Sequence, residues 1–445
     1  MLVRELLHGY QKRLIKQAET IPHLGLFMEP GLGKTVTALT ILAEQFEGRT
    51  LIVAPKKVAE SVWVPEAARW EHLHHLTINK CLGTPKERLK ALETPSDAVV
   101  VNLENLVWLL EQGHRFENLI LDESSRFKDS STKRFKAIKK QLKYYRRRVI
   151  LTGTPSPQGI ADLWAQVGIL DLGARLEISL TKFRDKYMVP DQINRHTRVV
   201  YSWKIKDEAT NVSIKSKISD ICFSLKAEDY LTLPPLSKLY HRIDVEPAVR
   251  RQYEKLKKDA VVEVNRTPIT AVSAAALSNK LLQFTSGAVY DENKDWHVVH
   301  DAKLDFLESI MEDSGNAPVL VFYHYKPSLE RLKARFPYAV SLDDTNQEQW
   351  RKGKIKMLLA HPQSGGIGLN LQCNVGETAQ QVWYDLPWSS ENYIQANARV
   401  YRQGQEKPVI LHHLMIKSSI DDQVVNVLEG KINIQDALLE ALKFV

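Results

Sequence analysis

The sequence predicts an α/β fold built from two parallel-sheet lobes in tandem, with a helical appendage and a C-terminal amphipathic helix. Three observations predict it. A chain of 445 residues exceeds one ordinary domain and suits two lobes of about 200 residues each. Short apolar runs alternate with amphipathic segments, the pattern of parallel strands covered by helices. That pattern is interrupted at Leu233-Pro-Pro-Leu236, where two prolines stop regular structure and stiffen a connection. Pro234-Pro235 is therefore read as the hinge between lobe 1, residues 1–235, and lobe 2, residues 236–445.

In lobe 1, strands are expected at Leu24 to Met28, Thr50 to Ala54, Ala98 to Asn102, Asn118 to Leu121 and Arg148 to Thr152. A glycine loop follows the first and opens an apolar helix, Val36 to Phe46. From about residue 160 the pattern loosens into a helical extension, with Pro190 and a polar stretch near Asp191 to Arg198. In lobe 2, Glu246 to about Leu282 reads as helical, part of an insertion over about 246–300 that precedes the second sheet. Strands follow at Val319 to Tyr323, Lys356 to Ala360, Gln381 to Asp385 and Val409 to Leu414. Ser419 to Leu442 reads as an amphipathic helix that packs back onto the lobes.

Composition is globular, with 44% hydrophobic and 26% charged residues. The net charge of +8 favours a polyanionic partner. Lys133, Arg134, Lys136, Lys139, Lys140, Lys143, Arg146, Arg147 and Arg148 occur without an intervening acid, so a helix there displays a basic stripe. Cys81, Cys222 and Cys373 are isolated, which implies neither a disulfide framework nor a CxxC metal site. The N-terminus lacks a signal-peptide core, and no apolar run approaches the roughly 20 residues of a membrane span. The expected setting is cytoplasmic, in a prokaryotic or virus-infected cell, with no membrane partner.

In open α/β sheets ligands bind outside the carboxyl ends of strands, and the chemistry-bearing residues fall there. In Glu29-Pro-Gly-Leu-Gly-Lys-Thr35, Gly31 and Gly33 let backbone N–H groups approach a phosphate chain at a helix N-terminus. Lys34 would sit at the β/γ-phosphates and Thr35 would hold Mg²⁺ through its hydroxyl. Met28 stands where the eight-residue phosphate-loop pattern has its first glycine. Leu119-Ile-Leu-Asp-Glu-Ser-Ser125 ends an apolar strand in two carboxylates. Asp122 would complete the Mg²⁺ shell and Glu123 would polarise the attacking water. In Leu151-Thr-Gly-Thr-Pro155, Thr152 and Thr154 are short hydroxyl residues able to link the carboxylate loop to a neighbouring lobe or a bound strand. Gln11 carries an amide that could pair with a donor and an acceptor of adenine.

In lobe 2, Gln363-Ser-Gly-Gly-Ile-Gly-Leu-Asn370 follows a strand. Gly365, Gly366 and Gly368 permit close approach to nucleotide phosphates or a nucleic-acid backbone, with Ser364 and Asn370 as donors. In Gln395-Ala-Asn-Ala-Arg-Val-Tyr-Arg-Gln-Gly-Gln405, Arg399 and Arg402 are three apart, on one face of a short helical segment. A distant arginine pair implies a second lobe that closes on the transferring phosphoryl group.

The order of these motifs, together with Leu51-Ile-Val-Ala-Pro-Lys56 and Tyr384-Asp-Leu-Pro-Trp-Ser-Ser390, resembles superfamily 2 helicase-type motors, and most closely the SWI/SNF-like DNA translocases in a compact phage or bacterial form. Arg402-Gln-Gly-Gln405 matches that family's RxGQ ending. The resemblance implies two RecA-like lobes with helical protrusions, a C-terminal helical brace over about 419–445 and DNA running across both lobes, ATP and Mg²⁺ at Lys34, Thr35 and Asp122, hydrolysis through Asp122 and Glu123, and arginine fingers at Arg399 and Arg402. It further suggests Gln11, Gly31, Gly33 and Gly368 for nucleotide, and Lys56, Thr152, Ser364 and Asn370 for nucleic acid. One departure stands out. The family usually has Ala-His after Asp-Glu, whereas Ser124 and Ser125 follow here.

The resulting expectation is a monomeric ATP-dependent translocase on double-stranded DNA, binding without regard to sequence. Rival readings are a strand-separating or branch-migrating helicase, an RNA-directed motor, and an inactive ATP-binding clamp.

Overall fold

A computed structural model describes residues 1–156, 159–193, 200–265, 271–315, 317–343, 345–363 and 370–431. The chain divides into two compact units, the first Met1–Leu231 and the second beginning at Thr232.

The first unit holds a seven-stranded, wholly parallel sheet. Its strands are β1 (His23–Met28), β2 (Thr50–Ala54), β3 (Ile78–Cys81), β4 (Ala98–Asn102), β5 (Asn118–Asp122), β6 (Arg147–Thr152) and, after a separate antiparallel pair β7 (Met188–Ile193) and β8 (Val200–Ile205), β9 (Cys222–Leu225). The order across the sheet is β3-β4-β2-β5-β6-β1-β9. Each of the five expected strands is present, because a strand covered on both faces must be apolar along its length. β3 and β9 were not expected. They are short edge strands, and Ile78-Asn-Lys-Cys81 lacks a continuous apolar run.

The register decides where the chemistry falls. Phe27 lies beside Thr152 and Asp122 beside Leu151, so β6 stands between β5 and β1 with the three carboxyl ends side by side. The helix Lys133–Gln141 buries Phe135 and Ile138 and exposes Lys133, Lys136, Lys139 and Lys140, the expected basic stripe. Arg148 departs from it. It is buried in β6, and Nε donates to His23 Nδ1 at 3.2 Å.

The second unit holds a six-stranded parallel sheet of order β10-β17-β16-β13-β15-β14, made of β10 (Leu236–Ile243), β13 (Val319–Phe322), β14 (Val340–Ser341), β15 (Met357–Ala360), β16 (Ala379–Trp383) and β17 (Val409–Ile416). A small antiparallel pair, β11 (Ala288–Tyr290) and β12 (Trp296–Val298), stands apart. The expectation that helical material precedes the second sheet is corrected here. The chain enters that sheet immediately after Pro235, since β10 pairs with β17 from Leu236–Val409 to Ile243–Ile416. The helices Pro247–Asn265 and Ala271–Thr285 are inserted between strands. β10 escapes sequence patterning because it is an edge strand whose residues, apart from Ile243, are exposed or half-buried. Of the expected brace, the helix Ile420–Leu428 is seen; residues 432–445 lie outside the described residues.

The second core is held by aromatic packing, with Trp383 fully buried and stacked on Phe322 at 4.6 Å. It also encloses an ion pair. Lys303 Nζ meets Asp421 Oδ2 at 2.9 Å with both side chains 1% exposed, and the Thr285 hydroxyl and Ile416 N–H donate to the same carboxylate. Removing one member of such a pair strands the other charge, at a cost of about 3–5 kcal/mol. Lys303→Met should therefore lower the stability of the second unit by about that amount, measured as a shift of its urea transition, while the first unit's transition stays in place.

Burial holds three imidazoles of this unit neutral. His300, His412 and His413 are each pushed down to about 4 by loss of solvation, aided at His300 by the Lys303 and Arg331 charges and at His412 by His241. Between about 4 and the unperturbed 6.5 the unfolded chain binds more protons than the folded one. Their contribution to stability is whole above pH 6.5 and is lost as pH falls towards 4. The urea midpoint of the second unit should drop across that window, and a midpoint flat from pH 6.5 to 4 would refute the assignment.

Candidate functional site

The phosphate loop is set by two glycines with left-handed backbones, Gly31 at φ 94° and Gly33 at φ 73°, which side chains adopt only with strain. Gly33 caps the helix Lys34–Gln45, presenting that helix N-terminus outside β1. Gln11 is buried at 3% exposure and packs on this loop. Its Nε2 donates to Leu32 O at 3.2 Å, as does the Tyr10 hydroxyl, while its Oε1 accepts from His8 N at 2.8 Å. The amide thus braces the loop from beneath. Lys34 Nζ donates to Met28 O at 2.7 Å, and Thr35 is half-buried one residue on.

At the end of β5, Asp122 and Glu123 are 6% and 5% exposed. Burial, reinforced by the neighbouring Glu123 charge, pushes the Asp122 carboxyl up to about 7. The Lys34 ammonium opposes this, as does the fully buried Trp63 indole, although its N–H completes no hydrogen bond. Two adjacent acids, one with raised proton affinity, beside a threonine hydroxyl and a lysine form an oxygen-rich set that fits a hard divalent cation. Glu123 occupies the left-handed region at φ 59°, a strained backbone for a non-glycine residue. Its Oε1 accepts from Thr152 Oγ1 at 2.9 Å and from Ser125 Oγ at 3.0 Å. Thr152 Oγ1 in turn accepts the Thr154 N–H at 3.1 Å.

The turn after β6 also touches the phosphate loop. A Cβ at Gly153 would stand 3.0 Å from Pro30 Cδ and 3.4 Å from Lys34 Nζ. The structure therefore unites Gln11, Gly31, Gly33, Lys34, Asp122, Glu123 and Thr152 in one neighbourhood. Thr152 is fully buried and faces the carboxylate, so the nucleic-acid contact expected of it gives way to a linking role. Lys56, at the start of the helix Lys56–Ser61, is 71% exposed and pairs with Glu60 at 3.9 Å.

Ser364 and Gly368 lie outside the described residues. Asn370 is half-buried, and its Oδ1 accepts Gln372 N at 3.0 Å. The helical placement of the arginine pair is corrected: the helix is Ser390–Asn397, and both arginines follow it in a turn. Tertiary bonds override the helix-forming sequence, since Leu371 N donates to Arg399 O at 3.0 Å. Arg399 is 4% exposed, with Nη2 donating to Pro362 O at 3.1 Å and Nη1 buried without a hydrogen-bond partner among the described residues. Burial lowers its guanidinium to about 10, still cationic at neutral pH. Arg402 is half-buried, and its loop is clipped by Gln372, whose Nε2 reaches the carbonyls of Arg402 at 2.9 Å and Gln403 at 3.1 Å, and by Asn374 on Gly404 O at 3.1 Å.

Sequence reasoning missed Gln372 and Asn374, which carry no signal of their own. It also missed Gln166. That residue was detectable as the polar member of the apolar run Leu163-Trp-Ala-Gln-Val-Gly-Ile-Leu170.

Gly33→Ala would drive a Cβ to 2.4 Å from Gln11 Nε2 and impose a left-handed conformation on alanine. It should weaken nucleotide binding at least tenfold with little change in melting temperature, measured with a fluorescent ADP analogue. Wild-type affinity in this variant would exclude the loop as the phosphate cradle.

A family description of the SNF2-related domain matches residues 14–287. "Putative protein p41" of Acyrthosiphon pisum secondary endosymbiont phage 1 is 36% identical across 98% of each chain. "Uncharacterized ATP-dependent helicase YqhH" of Bacillus subtilis is 22% identical over 93% of this chain and 76% of its own length. The "CHD3-type chromatin-remodeling factor CHR7" of Arabidopsis thaliana is 24% identical over 91% of this chain, which spans only 35% of that protein. Among solved structures, the "Sulfolobus solfataricus SWI2/SNF2 ATPase core in complex with dsDNA" is similar at a TM-score of 0.45 and 18% identity, covering 95% of this chain and 91% of that one. Among the described residues no helix is long and apolar enough to cross a membrane. The chain belongs to the SNF2-related family.

Proposed function

We propose that the chain hydrolyses ATP with Mg²⁺ and uses the cycle to move along double-stranded DNA as a monomer, without sequence preference. The observation that carries this reading is the adjacency of the Gly31–Thr35 loop, the Asp122–Glu123 pair and the Thr152–Pro155 turn along one sheet edge. Lys34 and the backbone N–H groups after Gly31 would bind the phosphate chain. Thr35 and Asp122 would hold Mg²⁺, which neutralises phosphate charge when bound. Glu123 orients the attacking water and takes its proton as the new P–O bond forms and the γ-phosphorus bond to the bridging oxygen breaks. Arg399 and Arg402 are assigned to the charge on the transferred phosphoryl, and Gly368 to the nucleotide. Lys56, Ser364 and Asn370 are assigned to the nucleic-acid backbone. Such contacts weaken steeply with salt and carry no sequence information.

ATP turnover measured alone and with duplex DNA, single-stranded DNA or RNA tests this reading. Duplex DNA should stimulate most, and Glu123→Gln should lower kcat by about 10²–10⁴. Arg402→Ala should lower kcat by about 10³ or more while nucleotide affinity stays within threefold, because its contribution belongs to the transition state. Displacement of a third strand without separation of the duplex should mark translocation. Stimulation by RNA alone, or duplex separation without triplex displacement, would overturn the proposal.

A further inference from the structure

The two residues that depart from the family's Ala-His, Ser124 and Ser125, are both engaged. Ser125 Oγ donates to Glu123 Oε1 at 3.0 Å, the oxygen that also receives Thr152 Oγ1 at 2.9 Å. Ser124 Oγ donates to Gln166 Oε1 at 2.8 Å, and Gln166 Nε2 donates to Pro155 O at 2.6 Å and Asp162 O at 3.0 Å. Ser124, Thr152 and Gln166 have no exposed surface, and Ser125 is 2% exposed. Two polar branches therefore run from the carboxylate loop to one turn. The first ends at the turn's beginning, Thr152, and the second at its end, Pro155.

We propose that Ser124, Ser125 and Gln166 are positioning residues that lock Glu123 and the Thr152–Pro155 turn into one body. The first branch fixes the carboxylate rotation. Both hydroxyls fall on Oε1, so Oε2 is the oxygen left for water. The second branch fixes the loop backbone, which the left-handed conformation of Glu123 would otherwise release. Alanine at 124, the family's usual residue, would leave the buried Gln166 carbonyl oxygen unpaired, so Ser124 and Gln166 act as a matched pair. A displacement of the turn by bound nucleic acid would then reach Glu123 through two connections. This coupling rests on the DNA-stimulated ATPase reading above, whereas the lock itself does not.

The test is a double-mutant cycle of Ser124→Ala and Gln166→Leu, with Ser125→Ala and its conservative counterpart Ser125→Thr alongside. Each single alanine or leucine variant should lower the duplex-stimulated kcat about tenfold with KM for ATP within twofold. The Ser124→Ala/Gln166→Leu double, in which apolar groups face each other, should regain melting temperature but turn over no faster than the singles, because the link is absent in all three. Ser125→Thr should restore most of what Ser125→Ala loses. Recovery of wild-type turnover by the double would reduce the pair to a packing role and overturn the proposal.

Amide hydrogen exchange over residues 152–156 gives a readout independent of activity. Exchange there should rise at least tenfold in Ser124→Ala and in the double. Unchanged exchange would refute the lock even if wild type proved unresponsive to nucleic acid, an outcome that would defeat the functional reading alone.

Discussion

The first unit's site depends on one constraint: two adjacent carboxylates are held out of water at the end of β5. Burying like charges side by side is unfavourable, and desolvation together with the Glu123 charge pushes the Asp122 carboxyl up to about 7. The surroundings relieve it unevenly. Asp122 has the Lys34 charge nearby, whereas Glu123 has two hydroxyl donors and no cation among its described hydrogen bonds. The pair is thereby differentiated, one carboxylate suited to share a cation and the other held by neutral donors. Strand order makes this division available, because β6 alone separates β5 from β1 and delivers a threonine hydroxyl into the gap.

Much of this was legible from sequence, for a physical reason. Central parallel strands are covered on both faces, so Leu51-Ile-Val-Ala54 and Leu119-Ile-Leu121 cannot be mistaken for amphipathic elements. Residues after such strands fall at the carboxyl ends of the sheet by geometry alone, which makes the positions of Lys34, Asp122, Glu123 and Thr152 readable from sequence. Edge strands lack that signature. β3, β9, β10 and β14 were missed because a strand with one open side needs only part of its surface to be apolar, as the exposed Leu236-Ser-Lys-Leu239 of β10 illustrates.

The arginine segment failed for a different reason. Ala396, Ala398 and Arg399 favour a helix intrinsically, yet the helix ends at Asn397. Asn397 Oδ1 is taken by Gln381 Nε2 and Trp383 Nε1, and the Arg399 carbonyl is taken by Leu371 N. These partners lie 14 to 28 positions away in sequence, so no local pattern encodes the stop. The same holds for Gln372, which clips the Arg402 loop from 30 residues upstream.

The two arginines also differ in what they can do. Arg399 sits in a buried environment that depresses even a guanidinium, with one N–H group on a carbonyl and another without a partner among the described residues. A cation held this way is costly, since a buried donor without an acceptor loses its full hydration. Packing alone gives no reason to retain it, and a leucine of similar volume would fill the space at less cost. The cost is offset if an anion arrives to complete the donor set, which makes Arg399 more sensitive to a bound phosphate than a solvated residue. Arg402, half-buried in a loop held by Gln372 and Asn374, combines better hydration with a backbone fixed at its carbonyl. It can extend towards charge that exists only transiently without rearranging the loop beneath it. The two arginines, three residues apart, are thus held differently, one by burial of its side chain and the other by clips on its backbone.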